Sequence, residues 1–229
     1  MMNLHWFVTS LRKQAKENRN TILVIGGQSG SGKSHFINYL LKKTSHKDVT
    51  YWDLETIRDT LLCPTSEAKA KLYHLFGCSN IPSQKKLSAE LCRKIQKSPK
   101  AILTYYLWLE KNSRLYLLNQ LNQQNNNKEY LWIFELVSPI DRIWQIADLY
   151  VQIAPPNWRI ESQLMRRLGV SRHDASNIRN LHKEAIEIKI KSDSPWIPDL
   201  IFGQGGEREA ELTLNKLRSI EYAHFGFRT

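Results

Sequence analysis

The chain has 229 residues, 41 % of them hydrophobic and 24 % charged, a globular composition that excludes fibrous and disordered classes. Its apolar runs, such as Ile22 to Ile25 and Tyr130 to Phe134, are strand-sized and too short to cross a membrane. The net charge of +11 is unevenly placed: residues 63–128 hold eleven Lys/Arg against three Asp/Glu, residues 1–62 nine against five, and residues 129–229 thirteen against fourteen. A local positive field attracts polyanions, whether nucleic acid, acidic membrane or a phosphorylated small molecule. Three widely spaced cysteines, Cys63, Cys78 and Cys92, spell neither a zinc knuckle nor a disulfide framework. With no continuous apolar core in the first twenty residues, a reducing cytoplasm is the expected compartment.

In chain order, residues 2–18 read as an extra amphipathic helix, with Leu4, Val8, Leu11 and Ala15 on one face. Residues 21–25 read as a buried strand followed at once by glycines, and 36–43 as helix. Residues 49–52 are a second strand, ending at Asp53. Two helices broken at Pro64 fill 54–77, a loop follows over 79–86, and helix returns over 87–124, where Ser98-Pro99 suits an N-cap with proline at the first helical position. Residues 130–135 and 148–153 are a third and a fourth strand, the third apolar enough to be buried on both faces. Helices follow over 156–168 and from the Ser171–Asp174 capping box to about Lys191, then a fifth strand over 199–202 and a last helix over 207–222. Strands separated by helices imply a doubly wound parallel sheet.

The chemistry begins at Gly27-Gln-Ser-Gly-Ser-Gly32-Lys33-Ser34, which matches the P-loop pattern G-x-x-x-x-G-K-[ST] between a strand and a helix. Glycines let successive N–H groups converge on phosphate oxygens, and the helix N-terminus adds partial positive charge. The nucleotide-binding set is Gly27, Ser29, Gly30, Ser31, Gly32, Lys33, Ser34 and His35. Within it, Lys33 reaches the β- and γ-phosphates and Ser34 joins the magnesium shell. The plainer alternative is a glycine turn without a nucleotide. Four of the ten glycines fall between residues 26 and 32, which a plain turn does not require.

Three further groups surround this loop. Asp53 and Glu55 follow the second strand, facing the phosphate crevice of a doubly wound sheet, where a carboxylate can accept a proton from an acceptor hydroxyl. Their other reading is a helix cap with a first-turn acid. Glu135, ending the third strand, is either a magnesium-site acid with Ser34 or a plain strand-end residue. Arg159, Arg166, Arg167 and Arg172 form a local basic cluster over 156–191. It is either a lid that neutralises a transferring phosphoryl group or a solvated face. Helical spacing puts Arg159 and Arg166 on one face and turns Arg167 away by about 100°.

Taken together, these segments resemble the dephospho-coenzyme A kinase family over roughly residues 21–205. Gly30-Ser-Gly-Lys-Ser34 agrees with the core of the family phosphate loop, and Asp53-Leu-Glu55-Thr-Ile57 with its Asp-Ala-Asp-x-Ile. Residues 68–77 resemble the helix ending in Phe-Gly, and Gln163-Leu-Met-Arg-Arg167 with Gly169-Val-Ser171 the lid. Asp199 to Gln204 resembles the segment that closes over adenine. Departures are Glu55 for Asp, Glu110-Lys111 for His-Pro, and His182 for Gln. The resemblance implies ATP and Mg2+ as cofactors, Glu55 as base and Arg167 as catalytic arginine. It implies transfer of the ATP γ-phosphoryl group to the 3′-hydroxyl of dephospho-coenzyme A, giving coenzyme A.

The expectation is therefore a P-loop kinase with a five-stranded parallel sheet of order 2-3-1-4-5, whose nucleotide-binding core is 1–53, 129–155 and 192–229. Residues 54–128 form a helical acceptor-binding insertion and 156–191 the lid. The alternatives are a nucleoside or other small-molecule kinase, and a nucleic-acid-associated NTPase. The latter would use the basic segment, with Tyr105, Tyr106, Trp108 and Tyr116 as stacking platforms in place of core packing.

Overall fold

Thr21–Gly26 pairs on both sides and becomes the central strand, β1, every residue of it buried. The computed structural model describes residues 9, 10, 12, 13, 17, 20–44, 49–53, 97–108, 131–136, 142–192 and 197–225. After β1 come α1 (Lys33–Lys43), β2 (Val49–Asp53), β3 (Leu131–Leu136), a 3-10 turn (Arg142–Ile146) and β4 (Leu149–Ile153). Then follow α2 (Asn157–Leu168), α3 (Arg172–Ser192), β5 (Leu200–Phe202) and α4 (Glu207–Phe225). Residues 9, 10, 12, 13 and 17 are helical, as expected for the N-terminal segment.

The five strands form one all-parallel sheet in the expected order β2-β3-β1-β4-β5. Alternation along β1 divides the core. Leu23 and Ile25 face the same layer as Ile133, Val151 and Ile153, packed with Phe36, Ile37 and Leu40 of α1 and Leu214 and Leu217 of α4. Lys43 of α1 bridges Glu207 (3.0 Å) and Glu211 of α4, tying the two helices at their exposed side. Ile22 and Val24 face the other way with Trp132, Phe134 and Tyr150, also buried. There Trp52 stacks on Phe134 at 6.3 Å. A strand buried on both faces reads as an unbroken apolar run, as β1 and β3 do.

Local signals set the element ends. Gly169 (φ 65°) caps α2, its N–H donating to the Met165 carbonyl at 2.9 Å. Ser171 Oγ accepts from the Asp174 N–H at 3.1 Å and opens α3; its hydroxyl also donates to the Asp174 carboxylate, so the motif is tied side chain to side chain. Ser98 Oγ accepts from Ala101 N–H at 3.1 Å at the start of the helical residues 99–108. That helix meets α3 through Ile102, Tyr105, Tyr106 and Ala185.

The helix after the glycine loop starts three residues before its expected position, at Lys33, because Gly32 itself is the N-cap. The helices expected over 54–77 and 87–124 lie outside the described residues except for 97–108, as do the three cysteines. No helix among the described residues is long and apolar enough to cross a membrane.

Candidate phosphate-binding site

The loop leaving β1 is shaped by residues that lack a side chain. Gly27, Gly30 and Gly32 have φ of 152°, 81° and 94°, values L side chains rarely adopt. Space is equally restrictive, since a Cβ on Gly27 would lie 2.5 Å from the Ile153 carbonyl oxygen. The Ser31 N–H donates to the Gln28 carbonyl (3.0 Å), and Phe36 N–H to the Gly32 carbonyl (3.1 Å), which passes the loop directly into α1. Gly32 supplies no side-chain cap and the first turn holds no acid. The positive end of α1 therefore faces whatever occupies the loop.

The charged groups of the loop converge on Glu135, at the C-terminal end of β3. Lys33 is 95 % buried, and its Nζ donates to the carbonyls of Gly27 (2.9 Å) and Gln28 (3.0 Å) while lying 3.9 Å from Glu135 Oε1. Ser34 Oγ donates to Glu135 Oε1 at 3.1 Å, and the Tyr51 hydroxyl donates to Oε2. A buried carboxylate is costly unless so satisfied. Ser31 Oγ is buried and finds no hydrogen-bond partner among the described residues, an open valence at the loop floor.

Across a cleft of about 490 Å³, α2 supplies the other wall with Arg159, Gln163, Arg166 and Arg167; Gly205 and His35 complete the rim. Arg159 Nη1 donates to Gln204 Oε1 (3.1 Å) and Arg167 Nη1 to Ser29 Oγ (3.4 Å). Helical spacing alone turned Arg167 off the face of Arg159 and Arg166, yet all three line the cleft. At the C-terminal end of α2 the long guanidinium stem reaches round to the loop. Arg172 is different, because its side chain is 77 % exposed and lies 3.8 Å from Glu161. It belongs with Arg179, 3.2 Å from the same buried acid, in a clamp between α2 and α3. Sequence reasoning missed Glu161 and Arg179; the signal was an acid on one helix followed by arginines seven apart on the next.

Asp53 ends β2 half-buried, in register with Glu135 across the β2–β3 pair, and does not line the cleft. Glu55 lies outside the described residues. His182 of α3 contacts the Tyr106 hydroxyl through Nδ1 at 2.9 Å. Burial, and secondarily the charge of Lys33, pull its pKa down to about 4, so the ring is neutral near pH 7. Tyr105 and Tyr106 are packed in the core and do not form an exposed stacking platform; Tyr116 lies outside the described residues. No group of three or more His, Cys, Asp or Glu suited to a metal occurs among the described residues. A hard cation here would rest on the Ser34–Glu135 pair with phosphate oxygens and water.

No protein-family model matches the chain, and no curated protein matches it. Among solved structures it is similar to TT1252 from Thermus thermophilus, with 18 % identity and a TM-score of 0.57 over 87 % of this chain and 97 % of that one. It also matches an uncharacterized protein from Eubacterium ventriosum, with 10 % identity and a TM-score of 0.42 over 87 % and 99 % of the two chains. The first likeness concerns the fold alone.

Proposed function

We propose that the protein is an ATP-dependent kinase of the P-loop type, with residues 156–191 as its lid and 54–128 as its acceptor-binding insertion. The observation that carries this reading is the opposition of Lys33, Ser34 and Glu135 on one wall to Arg159, Arg166 and Arg167 on the other, across about 490 Å³. The glycine cradle and the positive end of α1 bind the triphosphate. Arg167, already against Ser29 at the loop, holds two oxygens of the moving phosphoryl group in its planar fork. Arginines supplied by the chain's own lid favour phosphoryl transfer under a closed cover, which keeps water from the γ-phosphate.

Magnesium fits the residues present. The Ser34 hydroxyl spends its proton on Glu135, which leaves the oxygen lone pairs for a cation. The ion's contribution when bound is to neutralise charge on the phosphate oxygens. Lys33 adds a fixed buried cation beside it.

The acceptor we propose is the 3′-hydroxyl of dephospho-coenzyme A, with Glu55 taking its proton; this part rests on the family resemblance of residues 21–205. A basic insertion suits an acceptor that carries a pyrophosphate. The test is a panel of acceptors incubated with labelled ATP and magnesium. Label transfer to dephospho-coenzyme A is expected. Transfer to nucleosides alone replaces the acceptor, and failure to bind ATP overturns the whole reading.

A further inference from the structure

We infer that Tyr51 is a positioning residue for the cation site, holding Glu135 by Oε2 so that Oε1 keeps the closer approach to the Ser34 hydroxyl, 3.1 Å against 3.4 Å for Oε2. The inference rests on the reading of the cleft as a magnesium–nucleotide site. Tyr51 lies on β2, two residues before Asp53, and pairs in register with Ile133, two residues before Glu135. Residues two apart on a strand share a face. The Tyr51 phenol therefore runs along the α1 side of the sheet toward Glu135, packed against the core beneath that helix. Its hydroxyl donates to Oε2, while Ser34 donates to Oε1 at 3.1 Å and Lys33 Nζ stands 3.9 Å from Oε1.

The phenol holds Oε2, and the Ser34 hydroxyl lies nearer to Oε1 than to Oε2. With Oε2 engaged by the phenol, rotation of Glu135 about its last torsion would break a charge-assisted hydrogen bond. Oε1 thus stays aimed at the first turn of α1, and the Ser34 lone pairs stay turned to the phosphates. Without the phenol, Glu135 is free to turn away from Ser34 or to draw Lys33 further from the loop carbonyls. Partners that orient ligands in this way govern metal affinity more than the fold.

The experiment measures, by calorimetry, the affinity for the β,γ-imido analogue of ATP with excess Mg2+ and again in EDTA. The ratio of the two is internal to each variant, so a change in stability cancels. Wild type is compared with Tyr51→Phe in the native background and in a Glu135→Gln background. The expected result is that Tyr51→Phe lowers the magnesium-dependent gain roughly tenfold, leaves the EDTA affinity unchanged, and has no further effect once Glu135 is Gln. In turnover, the Mg2+ needed for half-maximal rate should rise while the rate at saturating Mg2+ is nearly kept.

A Tyr51→Phe ratio equal to wild type, or an equal loss in both backgrounds, overturns the role of Tyr51 and leaves the kinase reading standing. Absence of any magnesium-dependent gain in wild type overturns the kinase reading and this inference with it. Tyr51→Met, which also lacks the hydroxyl, supplies the same comparison if the Phe variant does not accumulate.

Discussion

Arg167 of the α2 arm touches Ser29 of the glycine loop, guanidinium to hydroxyl at 3.4 Å, across 138 residues of chain. The glycine loop and the α2 arm are thus in contact across the cleft. A lysine at 167 would keep the charge but lose the planar fork. Arg167→Lys should lower phosphoryl transfer far more than ATP affinity. Arg172→Lys, at a position that pairs with Glu161 and does not line the cleft, should be nearly silent. Steady-state kinetics of both variants check this, and equal behaviour would remove Arg167 from its role.

Lys33 is the buried cation of the site and donates to two loop carbonyls. Lys33→Ala should leave a folded protein whose turnover falls by about 3–4 kcal/mol of transition-state stabilisation, the range seen for loss of a charge-stabilising donor. Circular dichroism and a labelled-ATP assay together decide it. A folded variant with near-normal turnover contradicts the assignment.

Gly30 combines a left-handed backbone (φ 81°) with a tight neighbour, since an added Cβ would lie 3.2 Å from Gln163 Cβ and 3.3 Å from the Ile160 carbonyl oxygen. Gly30→Ala should cost about 1–2 kcal/mol from conformation alone, and it should push α2 from the loop. A lower Tm accompanied by weaker nucleotide binding is expected. Gly203→Ala, at a site with nothing within 4 Å of the added atom, should change neither.

His182 should make stability pH-dependent. Its folded pKa is lowered from 6.5 to about 4 by burial and by Lys33. The unfolded chain therefore binds the proton first as pH falls, and this contribution is complete above pH 6.5. It declines between the two values and is gone below about 4. As pH falls through that window, the stability of wild type against denaturant should drop by up to roughly 3 kcal/mol more than that of His182→Gln. Parallel curves for the two proteins would remove His182 as the cause.

What was legible in the sequence was contiguous. β1, the glycine loop and the N-terminus of α1 follow one another, so spacing alone sets their relation, and β–α alternation makes the sheet parallel. Ser98 and Ser171 announced helix starts because a cap acts on its own neighbours. The phenol of Tyr51 on Glu135, the clamp of Glu161 on Arg179, and the Arg159–Gln204 bond join residues 84, 18 and 45 positions apart. No periodicity announces such pairs, because they exist only once strands and helices have packed. The direction of Arg167 was misjudged for a related reason: helical spacing gives the Cβ direction, whereas a guanidinium ends several bonds further on.

The place of β1 at the centre of the sheet has a consequence for synthesis. Both its neighbours, Leu131–Leu136 and Leu149–Ile153, are made more than a hundred residues after Gly26. At ~5–20 residues per second the ribosome keeps an apolar strand and the glycine loop unpaired for roughly 5–20 s. During that interval the nascent chain presents two bare strand edges. Arrested chains ending before β3 should therefore be captured by holdase chaperones and cut readily by protease, whereas chains extended past β5 should acquire protection in one step.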